Sequence, residues 1–311
     1  MLSFIATSGT LHTDGLDVLH AHQAVSTASD GSVRSWVTRV LALASQDGDA
    51  GAATSGCRLL AETLMQLRPA ALSEHLPQVG TVLSRLVKRR CIGDECTMGD
   101  LGLQTLASWC VLVRRGSVAS SESRKTLTSL AEPVLLHLVA MRMPAPAAID
   151  AITECVELYP GCSRTLSSRG EALGLRLLAS ADPRRRGAGA ALLLALGQHG
   201  GGLAARDVLV QRTTRTIHRL LDAAVPGCRP ASTCDPDGPD LAVPLAVGAG
   251  AAETRHVVSG LVTLLRQALE RPVVGAATGP LQATELVALA RHLAAVRGSW
   301  DGLGAQGVSG D

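Results

Sequence analysis

Aromatic residues are almost absent from this 311-residue chain, which holds three Trp, one Tyr and one Phe although 46% of it is hydrophobic. A core with so few rings has to be built from Leu, Val and Ala. Those side chains favour close packing between helices over β-sheets, which draw on aromatic and β-branched residues. The composition therefore predicts an all-α protein.

Lysine is also scarce: Lys88 and Lys125 are the only two, and arginine supplies the rest of the positive charge. The formal net charge is +2 at pH 7. Such a balance gives the chain no general attraction to nucleic acid. Any contact with RNA is therefore expected at local basic clusters.

Long hydrophobic runs are missing as well. The longest unbroken apolar stretches, such as 190–196, are far shorter than the roughly 20 residues that cross a bilayer. The first 14 residues lack a basic segment followed by a long apolar one, so no secretory signal is predicted. We expect no membrane association and a reducing compartment.

Helical periodicity is the strongest positive signal. Apolar residues recur at steps of three and four, as in Val33, Trp36, Val40 and Leu43, and in seven further stripes that extend to Val296. Proline and glycine separate the stripes, and Asp182 before Pro183 is typical of a helix start; Ser32 and Ser121 are further candidate caps. Helix pairs at intervals of about 40 residues are typical of HEAT and armadillo repeats. The predicted architecture is an α-solenoid of antiparallel helix pairs.

The helical pattern does not cover the whole chain. We predict a weakly ordered segment over 1–28, one continuous helical array over 29–298, and a flexible, non-helical tail over 299–311. Within the array, 226–250 carries five prolines among Gly and Asp and is predicted to be a long loop.

Eight cysteines raise the question of a metal site. Several of them, such as Cys57, Cys110 and Cys155, lie in the apolar stripes and are expected to behave as small hydrophobic residues. Two loop pairs remain, Cys91 with Cys96 and Cys228 with Cys234, and their gaps are looser than a zinc knuckle requires. His20 and His22, near His12, Asp14 and Asp17, also lack metal-binding spacing on a rigid element. Free thiols and no cofactor are the favoured reading, with zinc as the alternative.

Two basic clusters are the candidate binding residues. Lys88, Arg89 and Arg90 end a predicted helix, where cations favourably meet the terminal carbonyls, so a capping role suffices for them. The alternative is that the same residues serve as a short nuclear-import or RNA-backbone patch. Arg184, Arg185 and Arg186 open a helix, where positive charge opposes the helix dipole. That placement favours a role facing a partner or RNA, although a solvated face is the commoner arrangement.

Motifs for catalysis are not found. The chain has no G-x-S-x-G, no H-E-x-x-H and no phosphate-binding loop. The glycines of 187–189 are expected to permit close helix packing. An L-x-x-L-L motif occurs at Leu261, Leu264 and Leu265, but these leucines lie on a predicted core stripe. We therefore expect a protein that is not an enzyme.

Three segments resemble one known family in consistent order. They are 55–86, which reads SGCRLLAETLMQL and then LSEHLPQVGTVLSRL; 148–202, with Tyr159, Pro160 and Cys162 at a helix turn; and 254–296, with Ser259, Gly260 and Leu261 in a helix. Together they are similar to the N-terminal helical-repeat domain of the Rix-one family, which includes the proline-, glutamic-acid- and leucine-rich protein of animals. The later repeats and the acidic tail of the animal protein are not present here.

The resemblance implies a nuclear function. Family members are nucleolar and nucleoplasmic scaffolds that support large ribosomal subunit maturation and processing of the second internal transcribed spacer. Their partners are a WD-repeat protein, a second helical-repeat protein, the midasin AAA ATPase and the pre-60S particle. Weak rRNA contact and homodimerisation stay open. The alternative is a generic HEAT-type adaptor in transport or transcriptional co-regulation.

Overall fold

The computed structural model describes residues 30–92, 98–141, 144–201, 203–224, 241, 243, 251–270 and 283–306. All regular structure in these residues is α-helical, which confirms the all-α prediction. The helices are α1 Asp30–Ala44, α2 Ala50–Gln66, α3 Pro69–Arg90, α4 Asp100–Ser117, α5 Ser121–Ala140, α6 Pro146–Leu158, α7 Gly161–Leu178, α8 Pro183–Gly201, α9 Leu203–Ala224, α10 Ala251–Glu270 and α11 Ala283–Gln306.

Local signals define where several helices begin. The Asp49 carboxylate accepts a hydrogen bond from the Ala52 N–H at 2.9 Å, which satisfies one of the free amides at the start of α2. Proline is the first residue of α3, α6 and α8, where its missing N–H costs nothing. The predicted start at Asp182 and Pro183 is confirmed, because the Asp182 carboxylate accepts from the Arg184 N–H at 2.9 Å.

The chain divides into two compact units, with the boundary between Leu166 and Ser167 inside α7. In the first unit, α1, α3 and α5 contact one another in order, and so do α2, α4 and α6. Contacts of α1 with α2, α3 with α4 and α5 with α6 join the two rows. Gly56 permits one of these close approaches, since a Cβ there would lie 2.7 Å from the Leu43 carbonyl carbon.

The second unit contains one apolar core to which α8, α9, α10 and α11 all contribute. Helix α9 packs against each of the other three, and α8 also packs against α10. The buried side chains include Leu178, Leu194, Ile217, Leu221, Leu261, Leu264 and Val296. Gly189 confirms the predicted close packing, because a Cβ there would lie 2.7 Å from the Leu177 Cβ, whereas Gly187 faces open space.

Helix α11 corrects one boundary. It continues to Gln306, so the segment from 299 predicted as a non-helical tail is helical as far as that residue. Neither glycine nor serine prevents a helix from continuing; each only lowers its intrinsic stability. The segment 1–28, most of the loop 226–250 and residues 307–311 lie outside the described residues. The prediction of one continuous array stays a prediction.

Candidate partner-binding residues

The first basic cluster lies at the end of α3 and is largely occupied by contacts within the chain. Arg89 forms an ion pair with Asp47. The Arg90 side chain is only 7% exposed and donates to the Gln46 carbonyl oxygen at 3.1 Å. Lys88 is exposed. In this cluster Lys88 is exposed and Arg89 is about half exposed, whereas the Arg90 side chain is buried in the first unit.

The second cluster begins α8 and is similarly divided. Arg186 donates to the carbonyl oxygens of Ser180 and Ala181, each at 2.8 Å, and so holds the turn that precedes its own helix. The Arg185 side chain is mostly buried, with its Nε 3.8 Å from an Asp182 carboxylate oxygen. Arg184 is exposed. Asp182 also offsets the positive charge that opposes the helix dipole, so the cost expected for this placement is reduced.

Arginines that bind the carbonyl groups of helix ends form a recurring feature of the first unit. Arg115 donates from Nε to the Leu64 carbonyl at 3.3 Å and from Nη2 to the Leu67 carbonyl at 2.6 Å. Arg124 donates from Nε to the Ser117 carbonyl at 2.5 Å. The last carbonyls of a helix have no partner within it, and a guanidinium supplies both hydrogen bonds and favourable charge there. Sequence reasoning did not identify these two residues; the excess of arginine over lysine was the available signal.

The turn that resembles the Rix-one family has a structural role in the first unit. Tyr159 ends α6, is buried, and donates its hydroxyl to the Val113 carbonyl oxygen at 2.8 Å, which ties α6 to α4. Cys162 is buried just after Pro160, at the start of α7. A buried tyrosine hydroxyl needs such a partner to offset its loss of water.

The second resembling motif lies where α10 crosses the end of α7. A Cβ at Gly260 would fall inside contact distance of the Leu178 carbonyl oxygen, and 3.1 Å from the Leu178 Cα. Ser259 is half-buried beside it, and its carbonyl accepts from the Thr263 hydroxyl at 2.8 Å. Leu261 is fully buried, as are Leu264 and Leu265, which confirms their predicted place in the core. In the folded chain the L-x-x-L-L motif is therefore not available to a partner.

The cysteines of the described residues are free thiols. Cys57 and Cys155 are buried and Cys110 is half-buried, as expected for small hydrophobic residues. Cys162 is buried as well, and so is Cys91, which was predicted to lie in a loop. The part of the chain that the structure describes holds no group of three or more His, Cys, Asp or Glu arranged to bind a metal ion. Cys96, Cys228, Cys234 and the histidines at 12, 20 and 22 lie outside the described residues.

Burial of these thiols predicts a stability that falls in alkali. Burial raises the pKa of Cys91 and of Cys110 to about 12 and that of Cys162 to about 11, against roughly 8.5 for a thiol in an unfolded chain. Above about pH 8.5 the folded state binds more protons than the unfolded state. The contribution of the thiols to the free energy of unfolding is therefore fully present below about pH 8 and declines as the pH rises further. Urea unfolding at pH 7.5, 9 and 10 in a reducing buffer should give a progressively lower midpoint.

A matched pair of variants separates the thiols from other titrating groups. Cys110→Ala should make the decline between pH 9 and 10 shallower, whereas Ala107→Ser, on an exposed position of the same helix, should leave it unchanged. Equal slopes in both variants would show that Cys110 does not contribute.

Comparison with known proteins adds no family: no family model, no curated protein and no solved structure matches the chain. Among the described residues, no helix is both long enough and apolar enough to span a membrane. In the first unit the structure shows a set of arginine contacts at helix ends and the exposed Lys88; in the second unit it shows the exposed Arg184 at the start of α8.

Proposed function

We propose that the chain is a non-catalytic helical-repeat scaffold of a nuclear complex that acts in large ribosomal subunit maturation and rRNA processing. The observation that carries the scaffold part is the pair of ordered helix rows in the first unit. The step to ribosome assembly rests on the resemblance of three segments to the Rix-one family.

The row arrangement supports an α-solenoid. One row consists of α2, α4 and α6, and the other of α1, α3 and α5. Each helix of one row contacts a sequence neighbour in the other row. Antiparallel helix pairs that stack by repetition give this contact order, since each repeat touches its neighbours. Such a stack offers a long exposed face to partners without any pocket of reactive groups.

The positions of the resembling residues are consistent with the proposal. Tyr159 and Gly260 each lie at a contact between helices, and neither lies on an open surface. Residues that fix helix crossings are the ones a repeat family has to keep if its members share a fold. Their burial therefore supports a shared architecture, and partner binding is left to the exposed helix faces.

The proposed partners are those of a Rix-type complex: a WD-repeat protein, a helical-repeat protein, the midasin-type ATPase and the pre-60S particle. A weak rRNA contact is proposed for Lys88 and Arg184, which are exposed; Arg89 is exposed too, but it forms an ion pair with Asp47. Each phosphate contact contributes a modest, salt-dependent increment, so two such residues fit an auxiliary contact and not a primary RNA-binding surface.

Affinity purification from nuclear extract tests the proposal. The tagged chain should recover pre-60S proteins and a WD-repeat protein. Lys88→Glu together with Arg184→Glu should lower the recovered rRNA several-fold and leave the protein partners in place. Arg58→Glu, at another exposed position, is the matched control and should change neither.

Two outcomes would contradict it. Recovery of transport factors with a cytoplasmic distribution would favour the generic HEAT-type adaptor. Recovery of pre-60S proteins with unchanged rRNA in the double variant would keep the scaffold and remove the role of the basic residues.

A further inference from the structure

Two buried histidines meet inside the second unit. His218 of α9 and His292 of α11 bring their Nδ1 atoms to 2.8 Å, and their rings meet edge to edge, with centroids 5.1 Å apart and an angle of 25° between the planes. The residues are 3% and 0% exposed. Each comes from a different helix, and they are 74 positions apart in the chain.

The distance between the two nitrogen atoms limits how many protons the pair can hold. A separation of 2.8 Å is that of a hydrogen bond, in which one Nδ1 carries the proton and the other accepts it. If both rings were imidazolium ions, both Nδ1 atoms would be donors, and two N–H groups would point at each other in a buried site. The pair can therefore take up one extra proton at most while the rings keep this arrangement.

Asp222 orients the pair. One of its carboxylate oxygens lies 3.6 Å from His292 Nε2, the ring nitrogen that does not face His218. A negative charge there favours a proton on Nε2 and leaves His292 Nδ1 as the acceptor. His218 is then the donor between the two rings. With the protons in these positions, a hydrogen bond between two neutral imidazole rings links α9 to α11.

The other ionisable groups on the surrounding helices are less buried than the histidine pair. Arg219 of α9, Arg291 and Arg297 of α11, and Glu253 and Arg255 of α10 are exposed, where solvent and salt screen their charges. Arg212 and Arg215 of α9 and His256 of α10 are half-buried. The arginines keep their charge throughout the relevant range, and α8 carries its described charges, Arg184, Arg185 and Arg186, at its first turn. Of the half-buried groups named here, His256 is the only histidine.

We propose that the His218–His292 pair is an acid-sensitive latch that holds α11 on α9 at neutral pH and releases it as the pH falls below about 6. An unfolded or released helix leaves both histidines free to be protonated near their ordinary pKa of about 6.5. The released state then binds at least one proton more than the docked state. Well below that range, release becomes at least about tenfold more favourable for each pH unit.

Release would uncover apolar surface. Leu289 and Val296 of α11 are buried in the core of the second unit, together with Leu221 of α9. Freed from that core, this side of α11 would be exposed to solvent. The latch thus couples proton concentration to the exposure of one defined helix face, and it is independent of the proposed role in ribosome assembly.

Hydrogen exchange of the full chain, read by mass spectrometry over peptides from 283–306, tests the latch between pH 5 and 8. After correction for the intrinsic pH dependence of exchange, protection of α11 should fall by at least about tenfold per pH unit well below about pH 6. His218→Asn with His292→Asn keeps a donor and an acceptor but cannot titrate, and should abolish the pH dependence. His256→Asn is the control for a half-buried histidine on a neighbouring helix and should retain it.

Imidazole nitrogen NMR of the unmodified protein gives a second measurement that needs no variant. At pH 7 one Nδ1 of the pair should carry a proton and the other should not. The latch would be overturned if both rings gained protons near pH 6.5 while α11 stayed protected. It would equally be overturned if the double Asn variant folded and kept the wild-type pH dependence.

Discussion

Replacing Gly260 by alanine is expected to lower the free energy of unfolding of the second unit by about 3 kcal/mol, near the upper end of the range for overpacked cores. The added Cβ would overlap the backbone of Leu178, where no side chain can rotate away. Relief requires that α10 and α7 move apart, and Leu261 and Leu264 would then lose contacts in the core. Denaturant unfolding with peptide-resolved hydrogen exchange would measure the loss and show where it occurs.

Gly187 provides the matched control, because it lies in α8 and a Cβ there would meet nothing within 4 Å. Gly187→Ala should stabilise the chain by about 0.5–1 kcal/mol through the better helix propensity of alanine. Opposite signs for the two changes would establish that the crossing, and not the loss of glycine itself, is responsible. A stable Gly260→Ala variant would contradict the packing described for α7 and α10.

Trp109→Ala should have an effect of similar size in the first unit, a loss of about 3–5 kcal/mol. The side chain is fully buried in α4, a helix that packs against α2, α3, α5 and α6. Removing it leaves a cavity among four neighbours that cannot all close over it. Urea unfolding monitored by far-UV circular dichroism would give the change in midpoint and slope.

Trp109→Phe is the graded control, since it keeps an aromatic ring and should cost well under half as much. The loss of protection in Trp109→Ala should be greatest in peptides from residues 30–166. Equal stability of the alanine and phenylalanine variants would mean that the site tolerates the cavity, which would contradict close packing around α4.

Periodicity predicted the helices well because each stripe of apolar residues is also a buried face. Val33, Trp36 and Val40 are buried as the first stripe requires, and Val296 is buried at the end of the last. The ends of the helices were predicted less accurately. Asp182 is confirmed as a cap, but α5 is capped by Ser120, whose hydroxyl accepts from the Ser123 N–H, and not by Ser121. Adjacent serines offer the same chemistry, and only the backbone path decides between them.

Side-chain direction at the basic clusters could not be read from the sequence. Arg90 and Arg186 look like solvated charges next to Arg89 and Arg184, yet both turn toward carbonyl groups. The acceptors of Arg90 are Cys57 of α2, Thr105 of α4 and Gln46 between α1 and α2, which the local pattern does not reveal. The histidine pair was missed for the same reason, since its members are 74 positions apart and contain no motif. Long-range pairing is information that periodicity does not carry.

The arginine contacts at helix ends limit which substitutions these positions tolerate. Arg115 and Arg124 each use Nε, a donor partway along the side chain, to reach a carbonyl. Lysine carries a methylene at that place and one donor group at its tip, so an exchange that preserves charge would still lose the bond. At these two positions the usual conservative replacement by lysine would lose the contact. Geometry therefore favours arginine over lysine there.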